Sequence, residues 1–203
     1  MIDRCICPRC WGTALEPGAG SPCTYCQGAG DVEDQLLSPH FRFSEWACGP
    51  KRHAIPNGPD TGAIDLGRET ATSLLEPLRS DCGPLLVTSG YRVPQLDVIA
   101  DHNNTWWLTH PSGHAIGSAW DVQPLRAALT IRDLAVWFWG KRGVFAWDQV
   151  ILEFGCCHVA ARCPGSLKQR GQMFARVHDS TKPTGYGYDP YDPGSADQAR
   201  RIA

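Results

Sequence analysis

Ala71, Leu74, Leu75 and Leu78 recur at the spacing of one helix face, which predicts an amphipathic helix over roughly 66–80. Pro84-Leu85-Leu86-Val87-Thr88 is a short apolar run and reads as a buried strand, broken by Ser89-Gly90. A second short helix is expected after Pro94. Ala119 to Val122 reads as a strand closed by Pro124. Thr130 and Asp133 form a capping-box variant that opens a helix through Trp139, with Ile131, Leu134 and Phe138 on one face. Trp137 and Trp139 cannot share one helix face, so one of them is expected to be exposed or interfacial. Gly140 and Gly143 end the helix. Gln149 to Phe154 is the clearest strand, and others are expected around His158–Ala160 and Gln172–Val177.

Residues 1–30 lack this periodicity. They carry Cys5, Cys7, Cys10, Cys23 and Cys26 among several Gly and Pro, and such a segment cannot fold without a staple. The expected organisation is a cysteine module over 1–30, a linker over 31–36 and a globular domain over 37–179. The Gly-, Pro-, Tyr- and Asp-rich residues 180–203 are expected to be extended or disordered.

The 203 residues suffice for one domain and a small appendage. A net charge of −2 gives no support for a nucleic-acid or membrane-surface partner. Met1 to Cys5 contains no apolar signal region and the chain has no apolar run of transmembrane length, so synthesis in the cytoplasm without a signal peptide is expected. In a reducing compartment, clustered cysteines point to metal rather than to disulfides. Cys48, Cys82, Cys156, Cys157 and Cys163 are expected to be buried thiols.

Cys7-x-x-Cys10 and Cys23-x-x-Cys26 are two knuckles whose four thiolates can close a tetrahedron around zinc. Metal binding would supply the missing folding energy, and a saturated four-sulfur site is structural. Cys5 is a fifth thiol, so the choice of four stays open. Cys26-Gln27-Gly28-Ala29-Gly30 resembles the CxxCxGxG repeat of DnaJ-type zinc-binding regions, which Cys10-Trp11-Gly12 follows in part.

Ser112-Gly113-His114-Ala115-Ile116-Gly117-Ser118-Ala119-Trp120-Asp121 has the form S-x-H-x-x-G-x-A-x-D. Ser89-Gly90-Tyr91-Arg92 stands upstream. Asp148 to Gly155 leads downstream to His158-Val159, and Leu37 to Phe41 with Glu45-Trp46 opens the domain. Together these resemble the zinc D-Ala-D-Ala carboxypeptidases and related phage endolysin peptidases over residues 37–178. The resemblance implies a hedgehog-like α+β fold, an antiparallel sheet with flanking helices beside the zinc-ribbon-like N-terminal module. It implies a catalytic zinc on His114, Asp121 and His158, making the chain a zinc metallopeptidase. Glu153 would be the general base, with Asp148 a less favoured substitute. Arg92 would polarise the scissile carbonyl, with Tyr91 and Ser112 at the substrate. The family places its acidic residue a few positions before the last histidine. Here Cys156-Cys157 stand between Glu153 and His158, where a tryptophan-containing stretch is usual.

The implied substrate is the stem peptide of bacterial peptidoglycan, cut as an endopeptidase or a D,D-carboxypeptidase by a monomeric, phage-type lysis enzyme acting at the cell wall. The residues read alone are compatible with this. His114 and Asp121 cannot share a helix face, but a loop and a strand can bring them together. Gly117 and Ala119 are small enough for close backbone approach. His158 would come from a separate strand, and three ligands leave one position open for water.

Two other readings compete. The domain could be a non-catalytic hedgehog-like binding module that keeps zinc as structure. The cysteine module alone would permit a zinc-ribbon nucleic-acid protein, against which stand the net charge of −2 and the lack of a basic cluster near Cys7–Cys26. Trp106 and Trp107 are read equally as groove wall or core. His40, His53, His102, His110 and His178 are read as structural or surface residues.

Overall fold

The apolar runs that read as strands meet in a single six-stranded sheet. The computed structural model describes residues 4–8, 19–27, 29–47, 55, 57–100, 103–165, 169–182 and 185–202. The chain begins with β1 (Arg4–Ile6), β2 (Asp31–Glu33), β3 (Leu36–Ser38), β4 (Phe41–Arg42) and α1 (Phe43–Ala47). A long helical stretch follows as α2 (Thr61–Thr70), a π-turn (Ala71–Leu75) and α3 (Glu76–Cys82). It starts earlier than the apolar spacing predicts, because the Asp60 carboxylate accepts from Ala63 N at 2.7 Å and caps it. Next come β5 (Leu85–Ser89), α4 (Pro94–Ala100), a 3₁₀ turn (Thr105–Leu108), β6 (Ala119–Pro124) and α5 (Ile131–Gly140). The Thr130–Asp133 capping box is formed in both directions at the start of α5. The chain ends with β7 (Gln149–Leu152), β8 (Cys157–Ala160), β9 (Gln172–His178), β10 (Tyr186–Pro190) and α6 (Ala196–Ile202).

The sheet order is β10-β9-β7-β8-β6-β5, and the class is α+β. The sheet is mixed rather than wholly antiparallel, which corrects the expectation. β7 and β8 form a hairpin that inserts β8 between β7 and β6, so the returning chain adds β9 to the free edge of β7 in parallel. Residues 31–36 are not a linker, since Asp31–Glu33 pairs antiparallel with Arg4–Ile6 and the Asp34 carboxylate accepts from Ser44 N at 2.8 Å at the start of α1. The described residues of the 180–203 segment are also more ordered than composition suggests. β10 pairs antiparallel with β9, and α6 is held by Gln198, whose amide donates to Pro190 O and accepts from Asp192 N. Backbone pairing and side-chain bonds order this segment where apolar periodicity is absent.

One face of the sheet is the core. Trp120 and Val122 on β6 and Cys157 and Val159 on β8 point into it with Leu74, Leu75, Leu78, Leu134 and Phe138 from the helices. Trp46 and Trp120 stack at 6.1 Å, and Phe41 meets Trp120 edge-on at 5.6 Å. Trp137 and Trp139 are both half-buried on α5. Asp121, His158 and Ile151 are register partners that point to the opposite face. Among the described residues no helix is long and apolar enough to cross a membrane.

Candidate metal centre

Strand pairing builds two thirds of the centre. Asp121 on β6 lies directly opposite His158 on β8, and a bulge in β5 brings Ser89 beside Asp121. His114 arrives from the turn before β6. That turn depends on Gly117, at φ +90°, where an added Cβ would collide with the carbonyl oxygen of Ala63. Gly90 is constrained in the same way, since its Cβ would strike the backbone of Trp46. The close approach matters because Gly90 O accepts from His114 Nδ1 at 2.6 Å.

A carbonyl can only accept, so His114 carries its proton on Nδ1 and presents the Nε2 lone pair inward. His114 Nε2 lies 3.1 Å from His158 Nδ1 and 3.2 Å from Asp121 Oδ1. His158 Nδ1 lies 2.9 Å from the same Asp121 oxygen. Three donor atoms thus converge in a buried site. Burial first, and then the charge of Arg92, holds His114 below the usual histidine range and keeps it neutral. Burial works to raise Asp121, but the two histidines outweigh it and hold the carboxyl well below its ordinary value.

The chemistry of the set fits zinc. One proton on His158 Nδ1 can bridge to one neighbour, whereas a cation satisfies all three donors together. Tetrahedral zinc with N and O ligands at about 2.0–2.1 Å implies donor–donor edges of about 3.3 Å, close to those observed.

Arg92 lies at the edge of this centre. Its Nη1 is 4.0 Å from Asp121 Oδ2 and donates to Ser89 Oγ at 3.3 Å. Its Nε donates to Asp97 Oδ1 at 3.0 Å. Ser112 Oγ donates to Asp97 Oδ2 at 2.5 Å. Tyr91 is likewise buried, packed at 5.5 Å against Trp46 in the core, with its phenol pushed up to about 12 by burial.

Glu153 follows β7. Its carboxylate lies 3.6 Å from Arg176 Nη1, and Arg176 in turn lies over the ring of Tyr186 at 4.3 Å. Cys156 Sγ lies 4.0 Å from Glu153 Oε2, and burial, followed by the charges of Asp121 and Glu153, pushes the Cys156 thiol up. Asp148 is a structural residue instead. Both of its oxygens accept from Arg170 at 2.6 Å, and it is 1% exposed. Trp106 is half-exposed and stacks on His110 at 4.1 Å, and neither Trp106 nor Trp107 belongs to the core.

The second cluster is the cysteine module. Cys7, Cys23 and Cys26 are buried with converging sulfurs, and Cys7 Sγ to Cys23 Sγ is 4.0 Å. Tetrahedral zinc with Zn–S of about 2.3 Å implies sulfur–sulfur edges of about 3.8 Å, so this set also fits the ion. Gly30 N donates to Cys26 Sγ at 3.2 Å, as expected for a sulfur carrying negative charge. Cys10 lies outside the described residues, as does the side chain of Cys5.

Two residues that motif reasoning passed over connect these parts. Asp97 is one. The other is Asn57, which is fully buried. Its backbone N donates to Pro8 O at 3.0 Å, beside Cys7. Its side chain donates to Ala47 O and Tyr91 O and accepts from Val93 N. Asn57 sits in an Asn-Gly-Pro-Asp stretch that reads as a turn, and Asp97 is five residues from Arg92, a spacing that signals no helix-face pair. No protein-family model matches the chain, and no curated protein matches it.

Proposed function

We propose that this chain is a zinc-dependent peptidase of hedgehog-like fold that acts on the stem peptides of bacterial peptidoglycan, in the setting of a phage-type lysis enzyme. The observation that carries the reading is the convergence of His114 Nε2, Asp121 Oδ1 and His158 Nδ1 within 3.2 Å of one another. Three protein ligands with a fourth position open are the pattern of a catalytic zinc rather than a structural one. The substrate class rests on the resemblance carried by the SGYR and S-x-H-x-x-G-x-A-x-D motifs. Zinc held there would supply Lewis acidity toward a carbonyl and an acidified water near neutral pH.

The chain's own residues divide the remaining work. His114 stays neutral and oriented by Gly90 O, and Asp121 stays ionised. Glu153 takes the proton of the attacking water and later delivers it to the leaving amine. Arg92 directs its Nη edge toward the oxygen on which negative charge develops. Cys7, Cys23 and Cys26, with Cys10 as the fourth thiolate, would hold a second, structural zinc.

One observation favours the non-catalytic alternative, a binding module with zinc as structure. Glu153 already has an ion-pair partner in Arg176. The two readings separate in one experiment. Purified protein is incubated with peptidoglycan, the muropeptides are resolved by mass spectrometry, and metal per chain is measured. The peptidase reading expects new stem-peptide fragments, two zinc ions per chain, and loss of cleavage with zinc retained in Glu153→Ala. Intact muropeptides with the wild-type protein sink it.

A further inference from the structure

Asp97 is a buried carboxylate, 3% exposed, that is not one of the three converging donors. Its two oxygens do different things. Oδ1 accepts from Arg92 Nε at 3.0 Å, and Oδ2 accepts from Ser112 Oγ at 2.5 Å. Ser112 Oγ–H points its hydrogen at Asp97, and the same oxygen accepts from Ala115 N at 3.1 Å, inside the turn that carries His114. The same turn is tied back to the arginine, since Arg92 N donates to His114 O at 3.4 Å. One carboxylate on α4 therefore fixes both the guanidinium and the histidine turn.

A buried ion pair is weak evidence of stabilisation, because desolvation of the two charges offsets their attraction. Position is the better account here. With Nε occupied by Asp97 and Nη1 steered by Ser89, the guanidinium has its Nη edge turned toward Asp121. We propose that Asp97 is a positioning residue: it holds Arg92 and, through Ser112, the His114 turn in register with the metal donors. The inference rests on the reading of Arg92 as a participant in peptide hydrolysis. Asp97 does not touch the reacting atoms.

The test is a double-mutant cycle with the zinc-loaded full chain on peptidoglycan, paired with a spectroscopic readout. Arg92→Ala is expected to lower kcat by about 10²-fold or more, and Asp97→Ala by roughly 30–100-fold with little change in KM, since sub-ångström misplacement is costly. Asp97→Asn keeps an acceptor oxygen for Arg92 Nε and is expected to recover kcat to within about fivefold. Arg92→Ala/Asp97→Ala together should lose clearly less than the product of the two single losses, because the part of Asp97 that acts through Arg92 is already gone and only its hold on Ser112 remains to be lost. The Arg92 Nε–H signal in ¹H–¹⁵N spectra should be slow to exchange in wild type and in Asp97→Asn, and lost in Asp97→Ala.

Multiplying kcat losses in the double variant, or an Nε–H signal unchanged in Asp97→Ala, overturns the inference. If Asp97→Ala does not fold, failure of Asp97→Asn to keep the Nε–H signal overturns it instead. A wild type that cleaves nothing while the signal behaves as expected defeats the peptidase reading and leaves the positioning geometry standing.

Discussion

The two donor clusters of this chain are built by opposite means. The thiol cluster is local: Cys7, Cys23 and Cys26 belong to one short module whose two strands, β1 and β2, have three residues each. The His114–Asp121–His158 cluster is spread over a turn and two strands, and its frame is the six-stranded sheet. A module that small would owe its fold to a bound metal, whereas the sheet has a core of its own on its other face. The difference teaches that one ion would serve folding and the other would depend on folding already achieved.

Removing a ligand from each cluster breaks the comparison most sharply. His114→Ala and Cys23→Ser should each lower zinc from two ions per chain to one. His114→Ala should lower peptidoglycan cleavage by at least about 10³-fold with a nearly unchanged melting temperature. Cys23→Ser should do the reverse, with cleavage kept within about threefold and the module lost to proteolysis. Equal effects of the two variants on cleavage would abolish the distinction.

Gly117→Ala comes next. A positive φ and a collision with Ala63 O should destabilise the chain by about 1–3 kcal/mol or more in a urea melt. Metal affinity at the sheet should fall while the thiol cluster keeps its ion. Asn57→Ala sharpens the comparison differently, since Asn57 touches both regions. Leaving the Ala47, Tyr91 and Val93 backbone groups unpaired should cost about 1–3 kcal/mol and lower activity, and a shift of the residue-57 backbone would pass through its bond to Pro8 O and weaken metal retention by the cysteine module. An effect confined to one region would mean the two are mechanically separate.

The smallest effect is that of pH on the metal-free protein. His114 titrates below its ordinary value in the folded state. The unfolded chain therefore binds a proton first, near about pH 6.5, and stability is complete above that pH and declines as pH falls below it. The slope should not exceed about 1.4 kcal/mol per pH unit for one proton. Asp121 is depressed too, so its share persists until well into the acid range. Urea melts between pH 7.5 and 5 should show the decline, and His114→Gln should flatten it.

His114 and Asp121 were legible because a dense local motif carries both, and α5 was legible because its capping box lies in sequence next to its apolar face. What pairs Asp121 with His158 is strand register, and register is a non-local property. The parallel pairing of β9 with β7 and the ordering of β10 and α6 were hidden for the same reason. The SGYR motif marks Tyr91 without showing that its ring packs on Trp46, since that contact joins residues 45 positions apart. Asp97 and Asn57 carry no motif, and only their partners reveal them.

The alternation along β8 has one further consequence. Val159 and Cys157 face the core while His158, between them, faces the metal donors. A slip of β8 by a single residue against β6 would turn the imidazole into the core and present a thiol or an isopropyl group in its place. An ion that binds only the correctly paired strands would proofread the centre of the sheet, drawing misaligned chains toward the one alignment in which three donors meet.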